Sequence, residues 1–253
     1  MIKKVFIEKS TLFVGESLKI KNYSGKTLKL KLYVITISDL LKKEEEKRFP
    51  EYRIIFSYFI EKDLVEGETE IKYPETFPPT FSTKHFKTRC SLIIGYPRFG
   101  DRILFPRTEI RLKILPVYKI EKEENGNNKD ELLVNKLYCE PDGEITCKLM
   151  NSTENVTTGI LVREWIREQE EKFDEYVICE GDMIKNNEFI IKLPHDFTRV
   201  EDPFLFYPYS FYSMTPKNEF GIKAYIFAQY KEAFIKREIA IIPRKPQFKR
   251  IIQ

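Results

Sequence analysis

The chain has 253 residues, 42% of them hydrophobic, 14% aromatic and 32% charged. These are the proportions of a folded globular protein, with length for one large domain or two of about 120 residues each. A formal net charge of +4 is too balanced for a general nucleic-acid binder, and Arg244, Lys245, Lys249 and Arg250 near the C-terminus account for all of it. No stretch has the roughly 18 uninterrupted apolar residues of a membrane helix. The segment from Met1 to Phe6, followed by Glu8, lacks the apolar core of a signal peptide, so a cytoplasmic protein is expected and the sequons at Asn22, Asn151 and Asn155 are coincidental. Glutamine is scarce while Lys and Glu abound, a composition that points to a thermophile.

Taken in chain order, Ser17-Leu18-Lys19-Ile20-Lys21 and Thr27-Leu28-Lys29-Leu30-Lys31-Leu32 alternate with period two around the turn residues Asn22 to Lys26. The alternation predicts a half-buried hairpin with Lys19, Lys21, Lys29 and Lys31 on one outward face. Residues 40–47 allow a short helix or a charged loop, and strands are expected over 52–60, 86–96 and 108–115. Residues 121–130, polar and bearing Gly and Asn, make a linker between domains at 1–120 and 131–253. Beyond it, strands are expected over 132–139, 145–150, 159–166, 176–180, 189–193, 220–230 and 234–242.

The second set echoes the first. Ile71-Lys72-Tyr73-Pro74 to Phe77 returns as Ile191-Lys192-Leu193-Pro194 to Phe197, and Phe86 with Tyr96 returns as Phe220 with Tyr230. Gly15-Glu16 pairs with Gly143-Glu144, and the segment ending at Tyr52 pairs with the one ending at Tyr176. An ordered series of echoes predicts two copies of one unit. Many short strands at regular spacing predict an all-β chain of two tandem antiparallel β-sandwiches.

With Val14-Gly15-Glu16-Ser17-Leu18, then Gly67-Glu68-Thr69-Glu70-Ile71-Lys72-Tyr73-Pro74 and Phe77-Pro78-Pro79-Thr80-Phe81 leading into Phe86 to Tyr96, the chain resembles the arrestin-like fold. That group includes arrestins, the arrestin-domain trafficking adaptors, the arrestin-like subunit of retromer and the bacterial sporulation-control proteins. Thr80 stands where Ser is usual. The resemblance covers nearly the whole chain through structural motifs. It implies a non-catalytic scaffold or adaptor acting on protein partners near membranes or complexes. No counterpart of the buried charged cluster of arrestins is evident in the sequence, so binding of phosphorylated receptors is not carried over.

Candidate sites follow from what differs between the copies. Phe77 to Phe86 spans nine positions and Phe197 to Phe220 spans 23, an insertion of 14 residues rich in aromatics. Phe204, Phe206, Tyr207, Tyr209, Phe211 and Tyr212 there are candidate partner contacts, including contacts with a second copy in a homodimer. The alternatives are a loop folded back over the seam between the domains, or one inserted in a membrane. Lys19, Lys21, Lys29 and Lys31, with Arg244, Lys245, Lys249 and Arg250, are candidates for an anionic surface, against plain solvation of a sheet face and a chain end. Cys90, Cys139, Cys147 and Cys179 form no CxxC, and with His85 and His195 as the two histidines no metal site is expected. A Cys139–Cys147 bridge is the one disulfide worth weighing. His195-Asp196 lacks a nucleophile or an oxyanion motif beside it, Trp165 reads as core, and no cofactor motif is present, so no enzyme is expected. The runner-up function is a small-ligand site for a glycan or lipid headgroup, with the aromatic loop as stacking platform.

Overall fold

The computed structural model of the chain describes residues 4–41, 52–98, 103–117, 131–150, 155–185, 187–195, 208–231 and 233–244. These hold eighteen strands. In the first half they are β1 Val5–Ile7, β2 Thr11–Phe13, β3 Ser17–Asn22, β4 Leu28–Ser38, β5 Arg53–Leu64, β6 Gly67–Lys72, β7 Phe81–Ser82, β8 Phe86–Arg98 and β9 Ile103–Leu115. In the second they are β10 Leu132–Val134, β11 Tyr138–Cys139, β12 Glu144–Leu149, β13 Thr157–Arg167, β14 Glu171–Lys185, β15 Glu188–Lys192, β16 Phe211–Met214, β17 Glu219–Tyr230 and β18 Ala233–Ile241. The chain is all-β, as its period-two alternation requires: Leu18, Ile20, Leu30 and Leu32 point inwards from β3 and β4.

Among the described residues every ladder stays within one half. Strands β1-β3-β6 form one layer of the first half and β2-β9-β8-β4-β5 the other, with β7 against β8. The second half repeats these pairings one for one. Strand β10 pairs with β12 as β1 does with β3, and β12 with β15 as β3 does with β6. Strand β13 lies between β14 and β17 as β4 lies between β5 and β8, and β18 follows β17 as β9 follows β8. Even the two parallel pairs agree, β2 with β9 and β11 with β18. One difference stands out: β14 continues past β13 to pair with β15, so the two layers of the second half form one continuous nine-stranded sheet.

The registers fix residue equivalences. Thr36, Thr88 and Phe81 lie side by side on β4, β8 and β7, and Glu164, Ile222 and Phe211 occupy the same places on β13, β17 and β16. Phe86 therefore matches Phe220, and Ile71 matches Ile191, as the sequence echoes suggest. Two echoes shift. Val34 pairs with Tyr58 where Val162 pairs with Tyr176, so Tyr58 rather than Tyr52 is the counterpart of Tyr176.

The Gly-Glu echo is off by one residue. Tyr73 exchanges hydrogen bonds with Gly15 and Glu16, and Leu193 does so with Asp142 and Gly143. Gly15 (φ 84°) and Asp142 (φ 61°) share the left-handed turn before the strand. The turn needs that backbone, which glycine and, less readily, aspartate adopt.

The proline-bearing bend is also present twice. Thr80 brackets β9, donating N–H to Ile114 O at 2.9 Å and accepting Ile114 N–H on Oγ1 at 2.8 Å. Ser210 brackets β18 in the same way, N–H to Ile241 O at 2.8 Å and Ile241 N–H to Oγ at 3.0 Å. Pro208-Tyr209-Ser210-Phe211 is thus the second copy of Pro78-Pro79-Thr80-Phe81. The 14 extra residues divide accordingly: ten precede this bend and four lengthen the β16–β17 hairpin.

One core is made of the first half alone: Leu12, Leu18, Leu30, Val34, Leu92, Leu112 and their neighbours. The other joins Ile145, Val162, Phe189, Ile226 and Ile239 of the second half to Leu41, Ile55, Phe81 and Phe86 of the first. At roughly 1.5–3 kcal/mol for each large apolar side chain buried, this shared part is enough to hold the halves against each other.

Candidate functional site

Equivalent residues meet at the seam. Phe81 lies 4.6 Å from Phe211 between ring centroids, and Phe86 lies 6.0 Å from Phe220. Each of these contacts joins a residue to its own counterpart, the pattern of a two-fold interface within one chain. Flanking it, the β7–β8 turn (residues 83–85) docks on β13 and β14, while the β16–β17 turn docks on β5 through Asn218 Nδ2–H to Ile55 O, 3.1 Å. Ser213 Oγ–H adds a bond to Thr76 O, 3.1 Å.

The two flanks differ chemically. Glu164, fully buried on β13, accepts four hydrogen bonds: Thr83 Oγ1–H at 2.7 Å, Lys84 N–H at 3.1 Å, His85 N–H at 3.0 Å and Tyr176 O–H at 2.5 Å. A buried carboxylate needs such a set of donors to offset its lost hydration. His85 stands between Asp39 (Nδ1 to Oδ1, 2.7 Å) and Asp174 (Nε2 to Oδ2, 2.9 Å), and Lys84 Nζ reaches the same Asp174 oxygen at 2.6 Å. Burial would raise the pKa of Asp174, but the hydrogen bonds from Lys84 and His85 outweigh it and hold that carboxyl below its usual range. On the other flank the counterpart of Glu164 is Thr36, which shares one hydroxyl bond with Thr88 at 2.8 Å. A charged cluster, buried at Glu164 and half-buried around His85, is therefore present on one flank. Its members come from β13, β14, the residue after β4 and the β7–β8 turn, a convergence that linear spacing does not show.

The candidate partner residues separate. Phe204, Phe206 and Tyr207 lie outside the described residues. Phe211 is 6% exposed and packs in the shared core, and Tyr209 is half-buried against it, so these two are seam structure and not free contacts. Tyr209 and Phe211 belong to the bend that brackets β18. Tyr212 does face outwards, 54% exposed, stacked on Trp165 at 5.9 Å. Phe173 (50% exposed) lies beneath the Arg163 guanidinium at 3.9 Å, and Arg167 stands over Trp165 at 5.7 Å. This aromatic and arginine patch spans β13, β14 and β16. Trp165 lies across Gly221, and its indole N–H is buried with no acceptor among the described residues. The sequence signal was the alternation Arg163-Trp165-Arg167 on one face of a strand.

The four candidate lysines of the first hairpin do not share a face. Lys19 and Lys21 sit on β3, both near Glu68 at 3.5 and 3.8 Å, beside Phe6, Ile7 and Glu8 in a groove of about 270 Å³. Lys29 and Lys31 sit on β4 in the opposite layer, where Lys29 pairs with Asp63 at 2.9 Å and buried Lys31 with Glu61 at 3.2 Å. The turn at 23–27 carries the chain from one layer to the other, which period-two alternation alone cannot reveal. Of the tail, Arg244 bonds Asp142 at 3.0 Å, and Lys245, Lys249 and Arg250 lie outside the described residues.

The four cysteines are free, so Cys139 and Cys147 do not form a bridge. Burial pushes the thiols of Cys147 and Cys179 up to about 11 and that of Cys90 to about 12, which leaves them as inert core. Exposed His195 pairs with Asp142 at 2.5 Å, with no nucleophile in that cluster among the described residues. No group of three or more His, Cys, Asp or Glu among the described residues is placed to hold a metal, and they contain no helix long and apolar enough to cross a membrane.

No family model and no curated protein matches the sequence. The structure is similar to the crystal structure of squid arrestin, with a TM-score of 0.59 over 96% of this chain and 94% of that one, at 9% identity. The chain has an arrestin-like fold. At that identity the likeness establishes the fold alone.

Proposed function

We propose that the chain is a non-catalytic scaffold that recognises a protein partner through the outward face of β13, β14 and β16. The observation that carries this reading is the patch of exposed Tyr212, Phe173 and Arg167, with half-buried Arg163, around Trp165. Tyr, Trp and Arg dominate binding hot spots because each offers a large contact area with little flexibility to lose, and Arg adds directional hydrogen bonds. The arginines are pre-positioned: Arg163 holds Glu175 at 2.6 Å and Arg167 holds Glu171 at 2.8 Å. A partner therefore meets side chains already fixed in place.

The test is affinity capture from host lysate with wild type and the double variant Phe173→Ser, Tyr212→Ser, after showing that both melt alike. A partner held by wild type and lost by the variant, a fall of at least about thirtyfold if two hot-spot residues each contribute about 1–2 kcal/mol, supports the patch. An unchanged catch removes the patch from consideration. No specific catch from either protein would reject the scaffold reading and favour a small ligand.

A further inference from the structure

The geometry points to a proton-operated latch at the seam: His85, when protonated, ties Asp39 of its own half to Asp174 of the other, and on losing its proton it lets go of one of them. Both ring nitrogens lie within hydrogen-bond distance of a carboxylate oxygen, 2.7 Å to Asp39 and 2.9 Å to Asp174. An imidazolium has two N–H donors and satisfies both acceptors. A neutral imidazole has one, so its bare nitrogen faces a carboxylate lone pair whichever tautomer forms. The two-carboxylate arrangement therefore fits only the charged ring.

The surroundings agree. Among the described residues the ionisable groups around the ring include Asp39 after β4, Lys84 in its own turn, Glu164 on β13, and Asp174 and Tyr176 on β14, with Arg53 of β5 opposite Ser38 beside Asp39. Burial alone would lower the pKa of His85. The hydrogen bonds to Asp39 and Asp174, with the charges of Glu164 and Asp39, outweigh burial and raise it above the ordinary 6.5. A group with a raised pKa in the closed form contributes fully below the ordinary value, and the contribution is lost as pH rises through the raised one. Acidification thus closes the latch, and alkalinisation opens it.

What opens is local. The aromatic contacts of the seam carry no titrating group, so the halves stay together when the β7–β8 turn lifts from β13. Lys84 and His85 amides donate to Glu164, which makes their exchange a reporter of the latch. The opposite flank supplies an internal control, since the turn there is held by Asn218 to a backbone carbonyl.

The experiment is native-state amide hydrogen exchange on the full chain by NMR between about pH 5.5 and 9, corrected for intrinsic chemistry, with the imidazole signals titrated in parallel. Protection of the Lys84 and His85 amides is expected to fall as pH rises, with the midpoint of the His85 titration. The Asn218 amide should stay level. In His85→Gln the turn amides should exchange at the high-pH level throughout. A flat wild-type profile, or a His85→Gln profile that still falls with pH, overturns the latch. Should His85→Gln fail to fold, Asp39→Asn replaces it: a lower His85 midpoint is expected, and an unchanged midpoint rejects the arrangement.

Discussion

The two halves share nine strands in the same order with the same partners apart from the β14–β15 ladder, yet they solve the problem of burial differently. The first closes a core from its own residues, while the second completes its core with Leu41, Ile55, Phe81 and Phe86 from the first. Their flanks at the seam differ in the same sense. One carries a buried carboxylate served by four donors, and the other a neutral threonine pair. A common strand plan therefore does not make the halves interchangeable. The plan positions equivalent atoms, and single substitutions at those positions decide whether a flank is fixed, neutral or titratable.

The largest effects should come from the self-paired rings. Phe86→Ala and Phe220→Ala are each expected to cost about 3–5 kcal/mol in urea unfolding, since both rings are fully buried. Because the rings touch, the double variant should fall short of the sum by about 0.5–1.5 kcal/mol. Strict additivity would mean that the rings belong to separate cores.

Next comes the pair Glu164 and Thr36. Glu164→Ala strands four donors and should lower stability by about 3–5 kcal/mol. Thr36→Val leaves one hydroxyl unpaired and should cost about 1–3 kcal/mol, most of it recovered when Thr88→Val is added. Equal costs at the two positions would erase the chemical difference between the flanks. The smallest effect belongs to the shared turn. Gly15→Ala places a Cβ 2.8 Å from Glu75 Cγ on a backbone with φ of 84°, and should cost about 1–2 kcal/mol in thermal unfolding. In the second half the same position is already Asp142, whose side chain holds His195 and Arg244.

Period-two alternation was enough to reveal most of the long strands but not the two- to four-residue β1, β2, β7 and β16 or the break between β10 and β11, and the echoes of Ile71 with Ile191 and Phe86 with Phe220 aligned the halves correctly where a buried residue anchored them. The alignment slipped at Gly15, where the turn requires a backbone angle that two residue types can supply. It also missed that Pro208-Tyr209-Ser210-Phe211 repeats Pro78-Pro79-Thr80-Phe81, because the ten extra residues ahead of the bend displace it along the chain. Of the candidate contacts, Tyr212 was legible as an exposed aromatic, but its neighbours Phe173, Arg163 and Arg167 on β13 and β14 were not, because their meeting depends on strand pairing. The seam cluster was not: Asp39, His85, Glu164 and Asp174 come from distant segments, and nothing local in any of them signals the others.

Strand β14 has a further consequence for how the molecule comes apart. Because it runs from the ladder with β13 into the ladder with β15, one register governs both layers of the second half, and a one-residue slip there would turn both faces inside out. In the first half the corresponding strands β5 and β6 belong to separate sheets. The β1-β3-β6 layer can thus peel away as a unit of its own, whereas the second half must open all at once. Two halves built on one plan are in this respect a hinged lid and a single shell.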